Sequence, residues 1–202
     1  VIAAGTPELY QGHPTTVLQP DGTPKVLVGS VAAPSIMKSF LGRLYPSFPA
    51  GGPDNSIVDG AYNQPYAIEN YRIDGRPVEL AVPVTFWRSV GCSFNAFMHE
   101  SFIDEIAAAG KTDPLALRKT LMAPYPVATA LLDKVAAMSN WASPLPAGRA
   151  RGIAFTLSFG TWVAQVVEIS DRDGSIKIDK VFAAVDAGTV LDERNFRAQI
   201  MS

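Results

Sequence analysis

Five consecutive residues, Trp87, Arg88, Ser89, Val90 and Gly91, best suit a ligand site by their types and spacing. They follow a run rich in β-branched and aromatic residues and precede an amphipathic segment, so a strand should turn here into a helix. A helix N-terminus presents N–H groups and a partial positive charge, which favour an anionic or electron-rich ligand. The alternative is a turn with a purely structural role.

A thiol–imidazole pair is the second catalytic arrangement that the residue types allow. Cys92 and His99 lie seven positions apart in the expected helix, which separates them by about 10 Å along its axis. That distance prevents the hydrogen bond that a nucleophile needs from its base, so we expect a small buried cysteine and a histidine on the helix surface. With His13 as the only other histidine and no second cysteine, a closed zinc site would need carboxylates in unrecognised positions.

Three acidic residues, Glu100, Asp104 and Glu105, raise the question of a catalytic carboxylate pair. Asp104 and Glu105 are adjacent and therefore point apart on a helix, and the segment from Glu100 onward has the pattern of a solvated helix face. No glycine-rich phosphate loop or dinucleotide fingerprint occurs in the sequence.

The elements that must position these residues follow from hydrophobic periodicity and turn signals. Strands are predicted at residues 25–30, 66–73, 78–88, 152–159, 162–169 and 176–185. Helices are predicted at residues 94–109, 114–121 and 127–141. Asp74-Gly75 predicts a hairpin turn, Gly110 a helix C′ position and Asp113 an N-cap with Pro114 at N1. Residues 1–24 should form an extended arm with turns at 12–14 and 20–22, and residues 44–59 a long irregular loop.

Composition and element order define the class. The 202 residues, 48% hydrophobic and 18% charged, can bury the core of one large or two small domains. A net charge of −2 with dispersed basic residues argues against nucleic-acid binding, and no apolar run approaches the roughly 20 residues of a membrane span. The start of the chain lacks the basic region of a targeting peptide. The order of strands, helices and strands indicates an α+β fold.

Several stretches, taken in order, resemble the molybdopterin-binding large subunit of the xanthine dehydrogenase family. The similarity is greatest to its isoquinoline 1-oxidoreductase beta-subunit and aldehyde dehydrogenase branch, and it covers roughly residues 25–202. The stretches are Gly-Ala-Tyr at 60–62 through Pro-Tyr-Ala-Ile-Glu-Asn at 65–70, Trp-Arg-Ser-Val-Gly at 87–91, Pro-Ala-Gly-Arg-Ala-Arg-Gly-Ile-Ala at 146–154, Val-Ala-Gln-Val at 163–166, Ala-Val-Asp-Ala-Gly at 184–188 and Arg-Ala-Gln at 197–199.

The resemblance implies a cofactor-binding role for Arg88, Gly91 and Gln199 and a place in the substrate pocket for Trp87 and Val90. In the family, the amide of the arginine approaches a molybdenum ligand and the glutamine hydrogen-bonds the pterin. Gly91 should permit a backbone conformation that a Cβ would strain. Val90 stands where other members carry a stacking aromatic, so an aldehyde or another small substrate is favoured. The alternative for Arg88 is a strand-end arginine that covers the sheet edge.

Further residues take roles from the same resemblance. The family keeps an acid at the position of Glu100, where it supports the turn from behind. Asp186 and Gly188 belong either to a cofactor-supporting segment or to a tight turn after a buried strand. Asp192 and Glu193 replace the family's usual Asn-Pro, so this loop should differ.

The resemblance also implies an incomplete catalytic apparatus. The family's upstream Gly-Gly-Gly-Phe-Gly stretch and its Gly-X-Gly-Glu, which holds the catalytic glutamate, do not occur here. We therefore expect a partial copy with no catalytic residue in this chain and no turnover by the chain alone. Residues 1–24 match poorly, 25–142 correspond to part of the first molybdopterin-binding domain, and 150–202 to a strand-rich continuation that begins the second.

The function implied is oxidation of an aldehyde or N-heterocycle with water as the oxygen source. The resemblance implies a molybdopterin cofactor, either molybdenum cytosine dinucleotide or a related form. The partners that it implies are the remaining large-subunit segments, a small subunit with the iron–sulfur clusters, and a cytochrome c or quinone. The family implies a periplasmic or membrane-associated location, whereas the composition by itself indicates a soluble protein. The alternative is a non-catalytic remnant or interaction domain, and a hydrolase or zinc enzyme has no supporting constellation. Exposed apolar surface is expected in either case.

Overall fold

The computed structural model describes residues 11–12, 14–47 and 52–201, and this part of the chain has the expected α+β class. It contains seven strands in two sheets, five α-helices and one short 3₁₀-helix. The strands are β1 (Gln11–Gly12), β2 (Thr15–Leu18), β3 (Pro24–Pro34), β4 (Asn70–Val78), β5 (Arg149–Ser158), β6 (Thr161–Arg172) and β7 (Ser175–Asp186). The helices are α1 (Ile36–Leu44), the 3₁₀-helix (Asn55–Ile57), α2 (Cys92–Ala109), α3 (Pro114–Leu121), α4 (Pro126–Ser139) and α5 (Glu193–Met201).

The first sheet is built around β3. Strands β1 and β2 pair antiparallel with β3, and β4 pairs parallel with it, from Val26 opposite Asn70 to Pro34 opposite Val78. Within its described residues the predicted N-terminal arm is therefore paired in a sheet. The turn at 20–22 is confirmed, with Gly22 at φ 83°, whereas His13 and residues 1–10 lie outside the described residues.

The hairpin predicted at Asp74-Gly75 is wrong. Strand β4 runs through both residues without turning, because its pairing with β3 continues past them, with Ser30 opposite Asp74 and Val31 opposite Gly75. The glycine serves close packing instead: a Cβ there would lie 3.1 Å from a side-chain methyl carbon of Val58. The strand predicted at 78–88 is also wrong, since residues 79–88 run to α2 without regular structure.

The three predicted helices are present, and one of their two predicted caps is confirmed. Asp113 caps α3, where its Oδ1 accepts a 2.9 Å hydrogen bond from the N–H of Ala116. Gly110 ends α2 in a right-handed conformation at φ −77°, so the left-handed C′ glycine predicted there is wrong, and Lys111 adopts the positive φ instead. Helices α1 and α5 have no counterpart in the sequence prediction, because α5 buries no residue and α1 only one.

The second sheet has the order β5-β6-β7 with antiparallel pairing throughout. Helix α4 contacts β6 and β7. The proline-rich stretch at 143–147 lies between the helices and the second sheet, and the main hydrophobic core contains side chains from both sides of it. That core includes Leu27, Ile103, Leu117, Leu132, Phe155 and Val166. The division of the chain into two molybdopterin-binding domains stays a prediction.

Large apolar side chains are exposed at several places in the described part of the chain, as expected from the sequence. Leu191 is 95% exposed, and β7 presents Ile176 and Ile178 at 69% and 62%. Strand β7 is an edge of its sheet, and such a surface is a potential site of association.

Candidate functional site

Residues 87–91 form a tight turn whose N–H groups are partly used within the turn itself. Val90 donates to the carbonyl oxygen of Trp87 at 3.1 Å, Cys92 to that of Ser89 at 2.9 Å and Ser93 to that of Val90 at 3.3 Å. The expectation that the N–H groups at the start of α2 face a ligand is therefore wrong for these three donors.

The turn is fixed by close backbone contact with the loop that contains the 3₁₀-helix. Gly91 has an ordinary φ of −62°, but a Cβ at this position would lie 2.1 Å from the carbonyl oxygen of Ser56. The expected conformational reason for this glycine is therefore wrong, and the reason is steric. Gly60, at φ 89°, approaches α2 in the same way, since its Cβ would lie 2.6 Å from the Cα of Cys92. Two glycines thus let the loop and the start of α2 touch.

Asn95 joins the same two elements by hydrogen bonds. Its buried side-chain amide donates to the main-chain oxygens of Ile57 and Asp59, each at 2.8 Å. These bonds hold the loop against α2 beside the turn. Sequence reasoning missed Asn95, because an asparagine inside a helix gives no local sign of a partner 36 or 38 residues away.

An open pocket of about 290 Å³ lies between this loop and the turn. We call it the turn pocket. Val90 contributes to its wall, as does Phe159 from the tight connection between β5 and β6, whereas Trp87 lies outside the lining and is largely exposed. The residues that determine its chemistry are Met37, Asp54, Asp59, Phe86, Val90 and Phe159.

Two bulky residues of the turn pocket have unusual backbone conformations. Val90 has φ 46° and Phe159 has φ 49°, in a region that is a genuine outlier for β-branched and bulky side chains. Phe159-Gly160 is a two-residue hairpin connection with both φ values positive, a turn that normally selects Asn or Asp before Gly. Strain of this kind concentrates at functional sites.

Arg88 and Gln199, which are 111 positions apart in sequence, lie side by side. The exposed guanidinium of Arg88 reaches the main-chain oxygen of Gln199 in α5 at 3.5 Å, a long hydrogen bond. The hydroxyl of Ser93 donates to the main-chain oxygen of Arg88 at 3.0 Å, which anchors the arginine backbone on α2. The structure thus brings together two of the residues that the sequence marked for a cofactor.

The two carboxylates of the turn pocket have opposite electrostatic environments. Burial by itself would raise the pKa of Asp54, but hydrogen bonds from the hydroxyls of Ser35 and Ser56 and from backbone N–H groups hold it below its ordinary value. Burial raises the pKa of Asp59, and the nearby charge of Asp54 raises it further. Asp54 is therefore a saturated structural acid, and Asp59 is not.

Cys92 and His99 do not form a catalytic pair, as predicted. Burial raises the pKa of the Cys92 thiol, which disfavours a reactive thiolate. The predicted surface position of His99 is wrong, since the ring is buried and its Nε2 lies 2.8 Å from the hydroxyl of Tyr71. That hydroxyl donates to the main-chain oxygen of Ala61. Its single proton is thereby used, so His99 Nε2 must be the donor to it.

Glu100 is the centre of a buried charge network, so the solvated helix face predicted here is wrong for Glu100, whereas Glu105 is exposed. Its Oε1 accepts from the hydroxyl of Tyr66 at 2.6 Å, and its Oε2 accepts from Arg118 Nε at 2.9 Å and from the N–H of Phe155 at 2.8 Å. Arg118 is 0% exposed and also binds Asp104 at 2.6 Å. The pattern of helix α2 could not show this, because the partners lie on a loop, α3 and β5.

This network is structural. Burial by itself would raise the pKa of Glu100, but Arg118, His99 and Tyr66 hold it below its ordinary value. Burial would lower the pKa of Arg118, but the Glu100 charge raises it well above its ordinary value. Both groups therefore remain charged. Glu100 is 5% exposed and its partners are within the protein, so it holds elements together and has no direct access to a ligand in the turn pocket.

The Asp186–Gly188 segment has the geometry of a tight turn. Asp186 Oδ1 accepts from the N–H of Gly188 at 2.8 Å, and Gly188 has φ 73°. Asp192 then caps the start of α5, accepting from the N–H of Asn195 at 3.0 Å. This favours the turn alternative for the segment, which leads into the helix that carries Gln199.

Other sites with obvious chemistry are few. Among residues 11–12, 14–47 and 52–201, no group of three His, Cys, Asp or Glu side chains could hold a metal ion. A groove of about 390 Å³ lies between α1 and residues 77–84, where Lys38 and Glu79 pair with each other. Within the described ranges, none of the helices is both long and apolar enough to cross a membrane.

Comparison with known proteins shows distant similarity to dehydrogenases. No family model matches the chain. It is 28% identical to a nicotinate dehydrogenase subunit of Pseudomonas putida KT2440, over 67% of this chain and 13% of the relative. It is 29% identical to the membrane-bound aldehyde dehydrogenase (pyrroloquinoline-quinone) of Gluconacetobacter polyoxogenes, over 85% of this chain and 24% of the relative. The chain is thus similar to a minor part of two proteins that are both named dehydrogenases.

Proposed function

We propose that this chain is part of the cofactor-binding large subunit of a molybdenum-dependent oxidoreductase that oxidises an aldehyde or an N-heterocycle with water as the oxygen source. The ordered motifs of the sequence support this proposal. So do the two relatives, whose names specify oxidation of nicotinate, an N-heterocycle, and of aldehydes.

The observation that carries the proposal is the contact between Arg88 and Gln199. The sequence marks both for cofactor binding, through motifs in different parts of the chain, and the guanidinium of Arg88 lies within 3.5 Å of the main-chain oxygen of Gln199, which supports a shared site. An exposed guanidinium with five donors and an amide with both donors and an acceptor fit the phosphate and pterin edge of a molybdopterin.

The residues of the turn then have distinct tasks. Arg88 and Gln199 bind and orient the cofactor, and Val90 forms the adjoining wall of the substrate site. Gly91 acts indirectly, since its contact with Ser56 fixes the turn from behind. When bound, the cofactor supplies the two-electron redox chemistry, which no side chain of the protein provides. The dinucleotide form, the iron–sulfur subunit and a cytochrome c or quinone acceptor are parts of the same proposal.

A quinone cofactor is the alternative within the same class, because the name of the aldehyde-oxidising relative specifies pyrroloquinoline quinone. The test is purification of the chain, by a tag, from its natural source. Molybdenum and iron are then measured by mass spectrometry of the metals, pyrroloquinoline quinone by chromatography, and co-purifying chains by peptide mass spectrometry. The proposal requires molybdenum in stoichiometric amount and an iron-bearing partner chain.

The outcomes separate the candidate functions. If pyrroloquinoline quinone is found without molybdenum, the proposed cofactor is replaced by the quinone. If a protein co-purifies but neither cofactor is found, an interaction domain is favoured, which the exposed apolar residues of β7 also support. In an active complex, Gly91→Val should lower activity far more than Arg88→Lys, because lysine keeps the positive charge that faces the cofactor phosphate and so leaves the molybdenum content unchanged. Full activity of Gly91→Val would remove the turn from the site.

A further inference from the structure

We propose that the turn pocket binds a cationic ligand with one or two aromatic rings and rejects carboxylates, with Asp59 as the group that pairs with the cation. This inference rests on the proposed function, of which it specifies the substrate class. It differs from a transfer of the relative's substrate, because nicotinate is an anion.

The charge of the turn pocket is one-sided. Asp54 and Asp59 are both in its lining, and the lining contains no lysine, arginine or histidine. A bound carboxylate would therefore face two negative groups at short range without a compensating cation, and like charges in a partly desolvated site repel strongly. A bound cation would instead be attracted by both carboxylates.

Only one of the two acids can bind a ligand. Asp54 Oδ2 accepts from the hydroxyl of Ser35 at 2.6 Å and from the N–H of Met37 at 3.0 Å, while its Oδ1 accepts from the hydroxyl and N–H of Ser56 at 2.6 and 3.0 Å. The half-buried carboxylate of Asp59 has no hydrogen-bond or ion-pair partner within the described ranges of the chain. A donor from a ligand would give it one and offset the cost of its burial.

The apolar wall of the turn pocket fits an aromatic ligand. Phe159, which is 78% exposed, and Phe86 both line it. The ring of Phe86 packs edge-to-face with that of Phe40, at 5.3 Å between ring centroids. Aromatic faces attract cations as well as rings. The volume of about 290 Å³ is at the lower end of the range for small-molecule pockets, about 300–1,000 Å³, so one or two rings fit.

The backbone of Phe159 supports a ligand-binding role independently. A phenylalanine at φ 49° in a two-residue hairpin is less favourable than asparagine at the same place. Its ring contributes little to the core, because most of it is exposed. An exposed aromatic ring kept in a strained turn at the rim of a pocket is placed to contact a ligand.

The experiment measures binding calorimetrically, with the chain purified in its native complex and without turnover. The probes are N-methylquinolinium, a two-ring heterocyclic cation, and nicotinate. We expect N-methylquinolinium to bind and nicotinate not to bind. Asp59→Asn should lower the affinity for the cation by about tenfold, which corresponds to the loss of one ion pair of roughly 1.4 kcal/mol. Asp173→Asn, at the exposed β6–β7 turn, is the matched control and should leave the affinity unchanged.

A second variant tests the strained ring. Phe159→Asn should raise the melting temperature of the protein, because asparagine tolerates the positive φ. It should also lower the affinity for N-methylquinolinium several-fold, because the aromatic ring is lost. Equal affinity of the protein and its Asp59→Asn variant for the cation, absence of cation binding, or tight nicotinate binding would each overturn the inference. So would a stabilised Phe159→Asn variant with undiminished affinity.

These results are separable from those on the proposed function. Asp59-dependent cation binding in a protein without molybdenum would retain the pocket and reject the redox function. Stoichiometric molybdenum in a complex whose cation affinity ignores Asp59 would retain the redox function and reject the pocket.

Discussion

A Cβ atom on Gly91 would lie 2.1 Å from the carbonyl oxygen of Ser56. Two main-chain segments therefore meet at the back of the turn, and the turn can approach the loop only because position 91 has no side chain. This contact determines where Val90 and the pocket wall lie. It can be tested without knowledge of any ligand.

Gly91→Ala should destabilise the protein by about 1–3 kcal/mol, the usual cost of overpacking. The added Cβ would meet the main-chain oxygens of Ser56 and Asp59, which cannot rotate away as a side chain could. Gly42→Ala in α1 is the matched control. That glycine has nothing within 4 Å of its Cβ position, so the change should be neutral or stabilising by up to about 1 kcal/mol. Urea unfolding followed by tryptophan fluorescence measures both. Equal midpoints for the two variants would contradict the contact.

Glu100→Gln should destabilise the protein by up to about 3–5 kcal/mol, because the fully buried Arg118 then keeps only the partly exposed carboxylate of Asp104 as an ion-pair partner. The double variant Glu100→Gln with Arg118→Met should be more stable than Glu100→Gln alone, since it removes the buried cation that has lost its buried carboxylate partner. Chemical unfolding of the three proteins at neutral pH gives the comparison. A single variant as stable as the original protein would exclude a structural role for the network.

The stabilisation by Glu100 should depend on pH. Since the folded protein holds the pKa of Glu100 below its ordinary 4.5, folding favours the ionised form. Its contribution is therefore present above pH 4.5 and is lost as the pH falls through the lowered value in the folded state. We expect the stability difference between the protein and Glu100→Gln to shrink in that acid range. A difference independent of pH would contradict the direction of the shift.

Tyr66 and Tyr71 should resist ionisation until the protein unfolds. Burial, together with the charge of Glu100, raises the pKa of both above the ordinary 10. Folding favours the neutral phenols, so this contribution to stability is complete below pH 10 and declines above it as the unfolded state ionises. In an alkaline titration followed by phenolate absorbance, these tyrosines should ionise together with the loss of circular dichroism. The Tyr66→Phe/Tyr71→Phe variant should lack that step.

The apolar edge strand β7 should bind hydrophobic dyes and promote self-association. Ile176→Lys/Ile178→Lys should reduce both, because it places charges on an exposed strand edge. Val17→Lys is the control, since Val17 is an exposed apolar residue on another sheet. Dye fluorescence and light scattering at increasing protein concentration provide the measurements. Dye binding that is lost equally in both variants would place the responsible surface elsewhere.

The sequence by itself determined the elements that depend on local signals. Asp113 and Pro114 mark the start of α3, because capping chemistry acts within a few residues. The strands predicted at 162–169 and 176–185 correspond to β6 and β7, which run on to a two-residue turn at 173–174. Periodicity also located α2 and α4. The motif at 87–91 indicated the turn that borders the candidate pocket, and the order of this motif and the other stretches indicated a resemblance to a family.

Only the tertiary structure decided how these parts combine. The parallel pairing of β4 with β3 overrode the turn signal of Asp74-Gly75, because backbone hydrogen bonding with a strand about 44 residues away in sequence has no trace in a local window. The local pattern around Glu100 predicts a solvated side chain, whereas Arg118 lies beside it in a buried ion pair. The meeting of Arg88 with Gln199, and of Asp59 with Phe159 in one pocket, depends on chain topology, since contacts between distant residues are specified by the packing of whole elements and not by the residues themselves.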